Sequence, residues 1–302
     1  MRVWVAICAW AALATSSWAT DPDTLYVPSP SQGASAVWTP PHLQGGAAAE
    51  IMERAHTAAR DYFRNAVGVE LEAPYHILGG DDAAIIAAET MRRQPMTRAY
   101  LSRHDLPCGT PDNPRAAALG NMAVLCWASP AVYDATWRTA RQTRWSAHVV
   151  HEYTHLLQFE SSGAGTRDRL PSSERTLGPR WLVEGTAEVF EEAFYATQPG
   201  YRARPIGART RRVRGHSVNL RDLHDTVSDK PAYDLAQFAA HLLIERYGSR
   251  TVFEYFRALP QAESWSDAFE ATFGLSLAEY ELEFAKMREN LVLSYRFAAG
   301  EE

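Results

Sequence analysis

The segment His151-Glu152-Tyr153-Thr154-His155 has the residue types and spacing for metal chemistry. On a helix, positions i and i+4 share a face, so both imidazoles can converge on one ion. Glu152 lies about 100° around the same helix, beside such an ion and not on it. A carboxylate placed there acts as a base on water. A tetrahedral catalytic zinc takes three protein ligands and keeps a fourth position open. The third ligand is expected from Trp181-Leu182-Val183-Glu184-Gly185-Thr186-Ala187-Glu188. Its two acidic residues, four apart, divide the labour. Glu184 binds the metal, and Glu188 accepts a hydrogen bond from the Nδ1–H of a ligand histidine and fixes its tautomer. The competing reading is a solvated acidic face, since Glu191 and Glu192 follow. Gly185 and Ala187 leave space for close helix packing.

These residues need elements to hold them. The strongest helical pattern runs over 136–160, with Trp145, Val149, Leu156 and Phe159 as apolar positions. A second helix is expected from Trp181 to Tyr195, after a Gly- and Pro-broken loop at 161–179. Upstream, 47–67 fits an amphipathic helix, and Pro74–Leu78 fits a short strand stopped by Gly79-Gly80. Asp81-Asp82 can cap a helix through Ile85, Ile86 and Met91. Met122–Trp127 reads as a strand. Residues 197–230 look irregular. Beyond Pro231 the chain reads as helical, in segments near 232–247, 250–258, 264–272 and 276–296. Mixed helix and strand followed by helix alone suggests an α+β domain with two lobes. The run Arg209, Arg211, Arg212, Arg214 is either a solvated loop or a reader of a substrate carboxylate. His148, one turn before His151, is read as a surface or supporting residue.

HExxH followed by a helix reading Trp-Leu-x-Glu-Gly-x-Ala-Glu resembles the gluzincin metallopeptidases, in particular the peptidase MA-like group. The match covers roughly Trp127 to the C-terminus. The 28 residues between His155 and Glu184 make a longer interval than in thermolysin-like enzymes, closer to that of bacterial collagenases. The resemblance implies an α+β gluzincin (thermolysin-like) fold, with a small sheet-containing N-lobe and a helical C-lobe. It implies one Zn2+ per chain on His151, His155 and Glu184, and hydrolysis of peptide bonds by a zinc-activated water with Glu152 as base. Pro231-Ala232-Tyr233-Asp234, before an apolar helix ending Arg246-Tyr247-Gly248, resembles the stretch that carries a catalytic tyrosine in the group's aminopeptidases. Tyr233 is therefore the candidate donor to the oxyanion, with His216 and His224 as competitors. Gly120-Asn121-Met122-Ala123-Val124 sits where those aminopeptidases grip a free amino terminus, but Ala123 replaces the glutamate that does so. That departure favours an endopeptidase over an aminopeptidase. A strand in this stretch can instead pair with an extended substrate through its main chain.

Composition is consistent with this. Hydrophobic residues at 46% and charged residues at 22% are ordinary for a globular chain. A net charge of -6 argues against a nucleic-acid partner, which calls for a basic excess. The expected partner is a peptide or protein substrate. Met1-Arg2, the apolar run Val3–Leu13 and Ser17-Trp18-Ala19 read as a signal peptide over 1–19. An extended lead-in at 20–46 and a peptidase domain at 47–302 follow. The protein is thus expected to be exported, periplasmic or secreted, with no stable membrane insertion after cleavage. Cys108 and Cys126 then read as one disulfide, worth roughly 3 kcal/mol in the chain-entropy model, with two separate thiols as the alternative. The rival to an enzyme is a pseudo-peptidase that serves as a binding or assembly factor. A structural zinc module fits poorly, since such sites are closed by four protein ligands.

Overall fold

A computed structural model describes residues 36–94, 108–130, 133–163 and 177–301. The expected signal peptide, most of the lead-in and most of the 161–179 loop lie outside the described residues. The first half alternates strands and helices: β1 (Ala36–Trp38), α1 (Ala47–Tyr62), β2 (His76–Gly80), α2 (Ala83–Arg93), β3 (Arg115–Leu119), β4 (Met122–Cys126). The second half is helical: α3 (Ala135–Ser161), α4 (Arg180–Ala196), α5 (Ile206–Val213), α6 (Lys230–Tyr247), α7 (Ser249–Ala258), α8 (Trp265–Phe273), α9 (Leu277–Met287), α10 (Leu291–Ala298). The chain is thus a mixed α and β structure with one small sheet. Among the described residues, no helix is long and apolar enough to cross a membrane.

The sheet has the order β1-β2-β4-β3. β1, β2 and β4 are parallel, and β3 returns antiparallel to β4. Alternation along β4 sends Ala123 and Leu125 into the main core. It sends Met122, Val124 and Cys126 to the other face, with Leu78, Trp38 and Ile86 of α2. Covered on both faces and paired on both edges, β4 has no free edge for a substrate. The exposed edge on this side belongs to β3, which corrects the expectation for the Gly120–Val124 stretch. The sequence pattern missed β3 because Arg-Ala-Ala-Ala-Leu carries no strand alternation. β1 occupies part of the expected lead-in and pairs with β2.

Gly79 and Gly80 do not stop β2; they end it inside the sheet. A Cβ on Gly79 would lie 2.8 Å from Met52 Cε, and one on Gly80 would lie 2.8 Å from Ile86 Cδ1. A side chain at either position would require the end of Met52 on α1 or of Ile86 on α2 to shift. The Asp82 carboxylate accepts from the Ala84 and Ile85 N–H groups at the start of α2. Cys108 and Cys126 are bonded, Cα–Cα 4.5 Å. The bridge ties the segment leading to β3 to the end of β4.

α1, α3, α4 and α6 form the body on which the cleft rests. Phe63 stacks on Tyr153 of α3 and meets Phe190 of α4 edge-on, and Phe190 stacks on Phe253 of α7. α4 and α6 approach closely because a Cβ on Gly185 would lie 2.2 Å from the Ala236 carbonyl oxygen. The irregular stretch expected at 197–230 contains α5. Its Arg209 is buried against Glu192 at 3.0 Å, and Arg212 pairs with Asp234 at 2.6 Å. Neither is a solvated loop arginine or a free reader of substrate carboxylates.

Candidate functional site

The i, i+4 spacing on α3 brings the His151 and His155 rings to 5.0 Å between centroids. α4 crosses beside them and presents Glu184. Its Oε2 lies 3.6 Å from His151 Nε2 and 3.7 Å from His155 Nε2. One ligand atom from each of the three residues falls within 4.8 Å of the others. A tetrahedral zinc with bonds of about 2.0–2.2 Å spaces its ligand atoms about 3.3–3.6 Å apart. The donor set, two imidazoles and a carboxylate, is that of a catalytic zinc with one position left over. The residues present therefore fit the ion.

The outward atoms of these side chains are occupied. His155 Nδ1–H donates to Gln158 Oε1 at 2.8 Å, and Gln158 Nε2 donates to the Val183 carbonyl at 3.0 Å. The second bond orients the amide, so its oxygen faces Nδ1 of the imidazole and Nε2 of His155 is left toward the carboxylate. One side chain thus sets a tautomer and ties α3 to α4. His151 Nδ1–H donates to Glu191 Oε2 at 3.2 Å. Glu188 Oε1 lies 3.9 Å away, beyond hydrogen-bond reach. The tautomer-fixing role expected of Glu188 therefore falls to Glu191, two turns beyond Glu184. The reason is that the His151 ring, lying across α4, turns its far nitrogen to the later turn. Arg180 forms an ion pair with the other oxygen of Glu184, Nη2 to Oε1 2.5 Å.

Electrostatics favour a cation at this point. Burial opposes ionisation of Glu184, yet His155 and Arg180 hold its carboxyl well below the usual range. Burial disfavours the charged imidazole of His151, but hydrogen bonds to Glu184 and Glu191 outweigh this and raise it well above its ordinary value. Burial raises the Glu152 carboxyl, offset in part by His151 and His155. Burial likewise pushes Glu188 up to about 7. Glu152 Oε2 is buried with no hydrogen bond among the described residues. A buried acceptor left open in this way wants a donor, and water or substrate can supply one.

The cleft over these groups is lined by Ala116–Leu119 of β3 on one side and by Arg180 and Tyr233 on the other. Burial raises the Tyr233 phenol, and the Glu184 charge adds to this, so it stays protonated and able to donate. His224 and His216 are not among the lining residues. His224 Nε2 bonds to Glu281, its ring meets Trp265 edge-on, and its carbonyl accepts from the Arg180 N–H. It supports the start of α4 and faces away from the chemistry. His148 Nδ1 lies 3.5 Å from Glu191 Oε1, in line with a supporting role.

Sequence reasoning missed Gln158, Arg180 and Glu191. Each carried a spacing signal: three residues after His155, four before Glu184, seven after it. Compared with known proteins, the chain matches no family model, no curated protein and no solved structure.

Proposed function

We propose that this chain is a zinc-dependent peptidase with a gluzincin-type site, acting within peptide chains more than from their amino ends. The observation that carries the reading is the convergence of His151 Nε2, His155 Nε2 and Glu184 Oε2 beside the unpartnered Glu152 Oε2, in a cleft bordered by an open strand edge. A zinc ion on the three ligands would supply Lewis acidity toward water and the scissile carbonyl.

The chain's own groups would do the rest. β3, paired among the described residues with β4 alone, would offer the main-chain groups of its other edge to an extended substrate. Glu152 would accept a proton from the attacking water at Oε2 and return it to the leaving amine. Tyr233 would donate its hydroxyl hydrogen to the developing oxyanion. Ala123 supports cleavage within chains: it is buried in the core and places no acid toward a substrate amino terminus. The Cys108–Cys126 bond supports residence in an oxidising compartment after export.

Cleavage of a mixed peptide library by the zinc-loaded chain, beside Glu152→Gln, tests the reading. The wild type is expected to cut at internal positions. The variant should retain zinc and lose about 10²–10⁴-fold in rate. Zinc binding by both with cleavage by neither contradicts a general peptidase and points to a zinc-bearing binding module.

A further inference from the structure

The two oxygens of Glu184 face different partners. Oε2 looks at both imidazole Nε2 atoms, at 3.6 and 3.7 Å, while Oε1 is ion-paired with Arg180 Nη2 at 2.5 Å. We propose that Arg180 is a positioning residue that keeps Glu184 a one-oxygen ligand, so that a bound metal ion retains an open coordination position. The inference rests on the metal reading above.

Three features hold Arg180 where this requires. It opens α4, and its N–H donates to the His224 carbonyl at 2.9 Å. Next to it, Trp181 Nε1–H donates to Glu281 Oε1 at 3.2 Å, the carboxylate that also takes His224. Just before it, Gly178 has φ +91°, and a Cβ there would lie 1.9 Å from Tyr255 Oη, so the entry to α4 follows one path. The helix then puts Glu184 one turn on, with both side chains on the same face. Arg180 keeps 28% of its side chain exposed toward the cleft, against 5% for Glu184. A carboxylate with both oxygens free beside a dication can chelate through both. A guanidinium ion-paired to one oxygen competes for it and opposes that option. Gln158 and Glu191 orient the histidines through their second atoms. Arg180 would do the same for the carboxylate, and its hold on Oε1 would set how many oxygens the ion receives.

Cobalt(II) in place of zinc reads this directly, because four-coordinate cobalt absorbs intensely in the visible and five-coordinate cobalt weakly. The full chain, loaded with stoichiometric cobalt, is compared with Arg180→Met and Arg180→Lys. The wild type should show the intense spectrum. Arg180→Met should keep its cobalt and lose several-fold in absorptivity as Oε1 joins the ion, and Arg180→Lys, which retains a cation at i−4, should restore the band. Arg180→Gln gives the same readout if methionine prevents folding. A neutral variant whose spectrum superimposes on an intense wild-type one overturns the inference, as does a wild-type spectrum that is already weak. A wild-type chain that takes no cobalt, or takes it equally after both His151 and His155 are replaced by Ala, overturns the metal reading itself, and with it this inference.

Discussion

Helices α3 and α4 each carry two unlike faces. Toward α1 and α7 they present Tyr153 and Phe190, which close an aromatic cluster with Phe63 and Phe253. Toward the cleft they present His151, Glu152, His155 and Glu184. Both faces are buried, but they differ in what they gather. On the first, rings fill one another's space, although Tyr153 Oη, like Glu152 Oε2, has no hydrogen bond among the described residues; on the second, three potential ligand atoms turn to one point. Leaving a buried polar atom unsatisfied costs about 1–3 kcal/mol. The aromatic side offsets that cost and keeps the helices from relaxing to satisfy the polar groups among themselves. Stability and chemistry thus come from opposite sides of the same two helices.

Changes on one face should leave the other's property intact. The largest effect is expected from Phe190→Ala, which removes a fully buried ring and should cost about 3–5 kcal/mol in urea unfolding. Below the transition it should still bind zinc at unchanged affinity; loss of zinc in the folded variant would show that the faces are coupled. Next is Gln158→Ala. It leaves the core alone but frees the His155 tautomer, so zinc affinity, read by chelator competition, should fall about 10–100-fold. An unchanged affinity would mean that Gln158 only ties α3 to α4.

The smallest effect concerns pH. Burial holds the His56 imidazole down at about 4, where its Nε2 meets Tyr75 Oη at 2.7 Å on the core side. The folded value lies below the unfolded 6.5, so between these pH values the unfolded chain binds the extra proton. The contribution is full above 6.5 and is lost as pH falls toward 4. At pH 5.5 it should have cost about 1 kcal/mol relative to pH 7.5. His56→Gln should flatten that part of the stability profile; an unaltered profile would place the titration elsewhere.

Those parts of the fold and site that repeat locally were legible in the sequence. His151 and His155 announce a shared face by spacing alone, and the apolar periods of α3, α4 and α6 are visible because packed helices repeat every turn. Elements defined by distant partners were not. β3 is a run of alanines that is a strand because β4 pairs with it, and β1 is three residues long. Gly79 and Gly80 suggest a turn until Met52 and Ile86 are seen filling the space of their side chains. α5 looked like a charged loop because Arg209 and Arg212 find their carboxylates on α4 and α6. Glu191 displaced Glu188 because the choice depends on how α4 crosses α3, which residue spacing does not encode.

The most direct measurement of the central claim is a crystal structure of the zinc-loaded chain with anomalous differences recorded at the zinc edge. The expected result is one peak at about 2.0–2.2 Å from His151 Nε2, His155 Nε2 and Glu184 Oε2. A peak held by other residues, or none at full zinc occupancy in solution, would contradict the account.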